Sequence, residues 1–495
     1  MASVLGLSLG LALACTPREV PLGAEKGGAC DANADPSMEG ATVCQDGYSC
    51  EPVAGGEAYV CATPVVIKGH VFDALSKVPL EGALVTALDR TSAPVSNVAV
   101  TDADGYYELQ VVAYRDSDGE LADDAVYTLQ AFAADFQPFP AGVRPALPVS
   151  TTDAVIETIP GDDKDGDGDP DEVDRLVIAN ATTEVALIPL PEPQRGGAII
   201  QGSILGDLPG GTLVVAEGVG DPAPYGLADR EGAYTIFNVP SGSVSVRGYR
   251  GGIEVEPGQV SVAAGMTYDL DLDIVATGDA LGSVAGAANI VNAPGGSVTS
   301  VVLVPSSVFN TNLERGPVPY GLRAPDPGID PNVSGGFTIA GVPAGTYKVL
   351  AAFENDDLVR DPDMTIAGTQ IQEVTLSPGD DVTVAENFKI TEALEVFSPG
   401  AEVPEAVTGA PTFSFADDSS EDYYIVVLFD ALGELVWSNE MVPGVSGSQS
   451  VDVGYDGPGL ISGMWYQFRA TSMRDKMGGT AISRTEDLRG VFFVP

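Results

Sequence analysis

The sequence predicts an all-β protein: tandem β-sandwich domains that follow a small disulfide-rich N-terminal segment. Three observations predict it. Gly (59) and Pro (37) are abundant among 495 residues, which favours short strands joined by turns over long helices. Apolar and polar residues alternate, as at Tyr107, Leu109 and Val111 and again at Tyr127, Leu129 and Ala131; this is the period of a strand with one buried face. Turn signals such as Asp104-Gly105 separate the runs, because Gly accepts a positive φ without steric cost. At roughly 100–200 residues per domain, the length implies about three to five domains.

Formal net charge is −48, from 71 acidic and 23 basic residues. Such a surface repels nucleic acid and anionic lipid head groups and attracts divalent cations. No nucleic-acid partner is expected.

The chain opens MASVLGLSLGLALAC, with an apolar run from Val4 to Ala14 too short to span a bilayer. Leu11-Ala12-Leu13-Ala14-Cys15 resembles a bacterial lipoprotein signal. The resemblance implies a signal peptide over 1–14, lipidation of Cys15 and a linker over 15–28. It also implies a membrane partner reached through that lipid, with export to the cell envelope (outer membrane or cell surface). No Lys or Arg precedes the apolar run, so the expected translation start lies further upstream.

Four further cysteines, Cys30, Cys44, Cys50 and Cys61, fall within 29–62, and none follows. An even cluster in a short Gly- and Asp-rich segment reads as two disulfides formed in an oxidising compartment, with three possible pairings. The absence of any Cys-x-x-Cys spacing and of a nearby His speaks against zinc.

The next segment carries Gly69-His70-Val71-Phe72-Asp73, then Pro79-Leu80-Glu81-Gly82-Ala83-Leu84-Val85, then Thr101-Asp102-Ala103-Asp104-Gly105-Tyr106-Tyr107-Glu108-Leu109. These residues resemble the carboxypeptidase regulatory-like domain over 64–193, which implies a small prealbumin-like sandwich. A second copy over 197–275 keeps Asp229-Arg230-Glu231-Gly232-Ala233-Tyr234 and Val239-Pro240-Ser241-Gly242. A third over 280–390 keeps Gly335-Gly336-Phe337 and Val342-Pro343-Ala344-Gly345, with an insertion from about Val304 to Val333. The last unit, 395–495, resembles a fibronectin type III or immunoglobulin-like sandwich in strand spacing and aromatic placement. It holds both tryptophans, Trp437 and Trp465, readable either as core residues or as a sugar-binding platform.

Catalytic chemistry finds little support. The single His, His70, sits in a strand, and neither a Gly-x-Ser-x-Gly elbow nor a pair of metal-ligating His is present. The resemblance therefore covers the accessory sandwich of metallocarboxypeptidases and not their catalytic domain. No enzyme activity is expected. The acidic cluster Glu354 to Asp363 fits no standard metal-loop spacing and reads as a polar strand-end loop.

One stretch does point to a ligand. In GDDKDGDGDPDEVDR, oxygen donors fall at positions 1, 3, 5, 7, 9 and 12 of a calcium loop: Asp163, Asp165, Asp167, Asp169, Asp171 and Asp174. Gly168 occupies position 6, where the loop turns sharply. Pro160 and the β-branched neighbours argue for flanking strands, so the stretch resembles secreted Asp-Gly-Asp-Gly loops of the thrombospondin type 3 kind. The expected cofactor is one structural calcium, bound weakly with a Kd on the order of 10⁻⁴ to 10⁻³ M. Together these features predict a non-catalytic exported surface lipoprotein that acts as a binding or spacer protein, its sandwiches arranged in a row. The alternative is a carbohydrate-binding accessory protein of the envelope. Expected partners are a glycan or an envelope protein.

Overall fold

The computed structural model describes residues 23–32, 42–161, 172–291, 299–354, 356–445, 449–475 and 479–495. Strands dominate these residues, with short 3-10 turns as the helical structure among them. No helix among them is long and apolar enough to cross a membrane. The chain divides into two compact units.

The first unit comprises Met1–Pro64, Ala113–Asp123 and Glu157–Arg175. Its strands Ala29–Cys30, Ser49–Pro52 and Tyr59–Ala62 form an antiparallel sheet with the last in the middle. Two disulfides, Cys30–Cys50 and Cys44–Cys61, tie this sheet to its loops. A segment this small buries too little apolar surface to hold itself, so cross-links replace a core. Glu51, 2% exposed, takes up the Ala113 amide at 3.0 Å and the Ser49 hydroxyl at 2.7 Å. In the stem around the Asp-rich stretch, Thr158 Oγ1 donates to Asp174 Oδ1 at 2.7 Å and Arg175 pairs with Glu157 at 3.2 Å.

The second unit, Val65–Val112, Asp124–Ile156 and Leu176–Pro495, contains four β-sandwiches. The first three share one plan. In the first, Val65–Asp73 pairs antiparallel with Tyr106–Val111. On its other side it takes two short parallel partners in turn, Leu176–Ile178 and then Val185–Leu187. The facing sheet runs Ala99–Val100, Leu84–Asp89, Val126–Phe132, Pro148–Ser150. In the second sandwich, Ala198–Leu205 likewise takes Ala233–Val239 antiparallel, then Thr267–Asp269 and Leu272–Thr277 parallel. The third repeats this with Gly282–Val291, Gly336–Val342, Asp381–Thr383 and Phe388–Glu392. Alternation explains each core: Tyr107, Leu109 and Val111 point inward while Glu108 and Gln110 stay exposed.

The fourth sandwich is built differently. A three-stranded sheet (Val396–Ser398, Thr412–Ala416, Ser450–Gly454) faces a six-stranded one centred on Trp465–Arg474 and Tyr423–Asp430. Trp437 and Trp465 are half-buried: Trp437 packs on Phe413 and Tyr455, and Trp465 stacks on Phe493 at 5.0 Å.

The expectation of modules in a row is corrected here. Hydrophobic cores run across the sandwich boundaries. Leu213, Val215 and Tyr249 of the second belong to the core of the third. Ala74, Val143 and Ile188 of the first and Leu313 of the third belong to the core of the fourth. Two glycines allow the closest approaches. A Cβ on Gly142 would sit 2.0 Å from the Ala431 carbonyl, and one on Gly463 2.0 Å from that of Ala74; both have positive φ. Sequence periodicity marks which residues face inward within a sandwich. It carries no mark for which sandwich faces another.

Candidate functional site

The insertion of the third sandwich organises the packed unit. Asn310 and Arg315 form an isolated bridge that closes a tight turn, and Asn310 Oδ1 accepts the amides of Asn312 and Leu313 at 3.0 Å each. This turn drives Leu313 into the fourth sandwich, where it is fully buried. Arg469 of that sandwich grips the turn through the Leu313 carbonyl at 2.6 Å, and Asn312 donates to the Gly433 carbonyl at 2.9 Å.

Beside the turn lies a buried charge network. Glu314 Oε2 accepts from Arg360 and from Arg484, each at 2.8 Å, and Arg484 also meets Asp487 at 3.0 Å. Burial alone would raise the Glu314 carboxyl, but the Arg484 and Arg360 guanidiniums outweigh it and hold it well below the ordinary carboxylate range. Asp361 pairs with Lys389 at 2.6 Å. Glu486, 1% exposed, receives the Asp356 and Asp357 amides at 3.1 and 3.3 Å and pairs with Arg489. Burial pushes this carboxyl up to about 7, against the pull of Arg489. The acidic stretch from Glu354 to Asp363, expected to be a solvated strand-end loop, is thus part of the contact between the third and fourth sandwiches.

The four sandwiches line a cavity of about 1200 Å³ that opens to solvent. Its walls are rich in proline and aromatic residues, among them Phe136, Phe309 and Tyr320. Arg144, 3% exposed, lies in this wall. Its guanidinium donates to the carbonyls of Ala186 at 2.7 Å and Pro138 at 3.1 Å and stacks over Phe139 at 5.2 Å. Arg315 donates to Gln467 at 2.9 Å and to the Asp487 carbonyl. Neither arginine forms an ion pair with a carboxylate among the described residues, although the Asp487 charge acts on Arg315. Burial pulls each guanidinium down to about 9. Arg144 also acts electrostatically on Tyr225, whose hydroxyl has no hydrogen-bond partner among the described residues and whose ring meets Phe132 edge-on.

Of the site residues expected from sequence, Cys15, Asp163, Asp165, Asp167, Asp169 and Asp171 lie outside the described residues. Asp174 lies in the strand Glu172–Ile178 with one carboxylate oxygen on Thr158. The four later cysteines are brought together in two disulfides. Cys30, Cys44 and Cys50 lie close enough to mimic a metal cluster, but their sulfurs are spent on those bonds. His70 is an exposed strand residue 3.1 Å from Glu184. Arg144, Tyr225 and Arg315 carry no motif. The available signal was rarity: Arg144 stands alone in the apolar stretch Phe139 to Leu147 of a chain with 23 basic residues.

No family model matches the chain, and no curated protein matches it. Solved structures with some likeness include the major pilin subunit of Bacillus cereus, at 11% identity, covering 66% of this chain and 99% of that one, with a TM-score of 0.16. Two B repeat units of the collagen binding protein of Staphylococcus aureus reach 11% identity, 86% and 99% coverage and 0.18. A putative cell adhesion protein from Bacteroides ovatus reaches 12%, 43% and 95%, and 0.12. Likenesses at these scores carry no inference about what this chain does.

Proposed function

We propose that this is a non-catalytic, exported protein of a bacterial cell envelope, held to the membrane by a lipid on Cys15 and working by binding or by structural support. The observation that carries the reading is the pair of disulfides, Cys30–Cys50 and Cys44–Cys61, which uses every described cysteine and belongs to an oxidising compartment. A lone remaining thiol at Cys15, just after an apolar run, is where an acyl group would attach. One acyl chain gives marginal membrane affinity, so a multiply acylated N-terminus is required for firm anchoring. The first three sandwiches are read as carboxypeptidase regulatory-like domains, supported by their motifs and common strand plan. The fourth is read as fibronectin III-like or immunoglobulin-like. Incorporation of labelled palmitate in the expressing cell tests the anchor: it must disappear in Cys15→Ala, and label that persists there overturns it.

A structural calcium is part of the proposal. Asp163, Asp165, Asp167, Asp169, Asp171 and Asp174 form an all-oxygen donor set of the kind that hard, oxygen-seeking Ca²⁺ takes. Asp174 carries one of these oxygens beside the stretch, where Thr158 donates to its Oδ1. The ion would offset repulsion among the acids and pin the connection between the strands Val155–Pro160 and Glu172–Ile178. The second reading, carbohydrate binding, is favoured by the aromatic walls of the cavity rather than by the two tryptophans, which pack against the core of the fourth sandwich.

A further inference from the structure

Acids outnumber bases 71 to 23 in this chain, so a randomly placed arginine would meet a carboxylate. Yet in and behind the wall of one cavity three arginines form no ion pair with a carboxylate among the described residues, although the Asp487 charge acts on Arg315. Arg144 is spent on carbonyls and a phenyl face. Arg315 meets carbonyls and an amide. Arg250 sits behind the cavity wall, its guanidinium 5.0 Å from the Tyr320 ring centre. A buried cation without an anion is costly. The acids in the cavity lining do not supply it. Glu354 is engaged by Arg323 at 2.6 Å, and Asp221, Glu402 and Glu434 are exposed to water, which screens them.

We propose that the cavity binds the acidic end of a saccharide, a sugar bearing a carboxylate. Arg144 supplies the positive field, and the Tyr225 hydroxyl, without a hydrogen-bond partner among the described residues, donates to the carboxylate. The apolar faces of the sugar rings lie on the aromatic wall formed by Phe309 and Tyr320. A carboxylate is chosen over a neutral sugar because neutral hydroxyls leave the arginine charge uncompensated. A saccharide is chosen over a bare anion because the space exceeds the roughly 300–1000 Å³ of common ligand sites and its walls are largely apolar and aromatic. This rests on reading the chain as a binding protein, but not on its lipid anchor.

The test is titration of the purified full chain with glucuronate, followed by calorimetry and by saturation-transfer NMR. Glucose serves as the neutral match and sulfate as an inorganic anion. Binding of glucuronate at millimolar concentration, at least about tenfold tighter than glucose, is expected, since a hydrogen bond to a charged group corresponds to roughly a factor of ten or more. Tyr225→Phe, which removes only a hydroxyl without a hydrogen-bond partner among the described residues, lowers that affinity about tenfold and leaves the melting temperature in place. Arg144→Lys keeps the charge and weakens binding less than Arg144→Met. No glucuronate binding, equal binding of glucose, sulfate binding as tight as glucuronate, or an unchanged Tyr225→Phe each overturns the proposal. Palmitate labelling at Cys15 is unaffected by any of these outcomes, so failure here is distinguishable from failure of the envelope reading.

Discussion

Replacing Glu314 with Gln tests whether the third and fourth sandwiches fold as one. Its carboxylate holds two guanidiniums at 2.8 Å each, from Arg360 and Arg484, the latter on the fourth sandwich. Both donate to Oε2, so in the nearly isosteric Gln the amide oxygen can still accept from them, but the negative charge that offsets the two guanidiniums is gone. Arg484 keeps Asp487, whereas Arg360 loses its carboxylate partner. Removing one partner from a buried ion network costs about 3–5 kcal/mol. Leu313→Ala, one residue earlier, is independent of charge and empties a fully buried site, at about 2–5 kcal/mol. Both tryptophans lie in the fourth sandwich, so their fluorescence reports that sandwich alone, while far-UV dichroism reports the whole chain. In the wild type the two urea transitions should coincide. With an m-value of roughly 1–3 kcal/mol/M, either substitution lowers the tryptophan midpoint by about 1–5 M and separates it from the dichroism curve. The carboxyl of Glu314 is depressed relative to its unfolded value. Its contribution is therefore present above the ordinary carboxylate range and lost only in strong acid. A tryptophan midpoint unmoved in both variants would refute the interlocked arrangement and restore the picture of independent modules.

Other outcomes follow from the same geometry. Glu486 has a folded value of about 7 against 4.5 unfolded, so the native state holds its proton more tightly. Stability from this group therefore falls as pH rises from about 4.5 to 7, by at most about 3 kcal/mol at ~1.4 kcal/mol per unit. Urea midpoints of wild type and Glu486→Gln between pH 5 and 8 should converge at the acidic end and part at the alkaline end; parallel profiles would remove the assignment. Ten millimolar calcium should stabilise the chain by about 1.4–2.7 kcal/mol if the Kd is 10⁻³ to 10⁻⁴ M, read as a rise in melting temperature that EDTA reverses and Asp165→Asn abolishes. No shift and no calorimetric heat would end the calcium proposal. Breaking Cys44–Cys61, whose partners are 17 residues apart, should cost about 3 kcal/mol by loop entropy and make the first unit a protease target, with the sandwiches left intact on a gel.

What the sequence disclosed follows one physical division. Features set by local period and turn chemistry were legible. The strand Val185–Leu187 closes the first sandwich, and the recurring Gly turns, joined in the second and third copies by Val-Pro-x-Gly, mark a strand plan shared by three sandwiches. Features set by contacts between distant segments were not. Leu313 reads as an ordinary apolar residue in a Pro- and Gly-rich insertion, and only the fourth sandwich shows why it is buried. Asp361 and Glu486 read as solvated acids because acids are everywhere here, although they are 4% and 1% exposed. The disulfide pairing lay beyond sequence for the same reason, since three pairings satisfy one spacing.

The uneven use of charge explains why the sandwiches lock together instead of spreading out. At −48, electrostatic repulsion acts against compactness, and bringing four acidic domains into contact raises it. Several of the scarce arginines are placed at the contacts, where desolvation makes each interaction stronger than at the surface. Arg360, Arg469, Arg484 and Arg489 all lie between the third and fourth sandwiches, and Arg315 reaches both the first and the fourth. Arg247 joins the second to the third through the Ala344 carbonyl. Surface acids are left unneutralised, which keeps the exterior soluble, while the cations hold the interior contacts. Arg247, Arg315 and Arg469 meet backbone carbonyls at those contacts. Arg144 does the same in the wall of the cavity, which is why the cavity beside it, and not the acidic surface, is where an anionic ligand belongs.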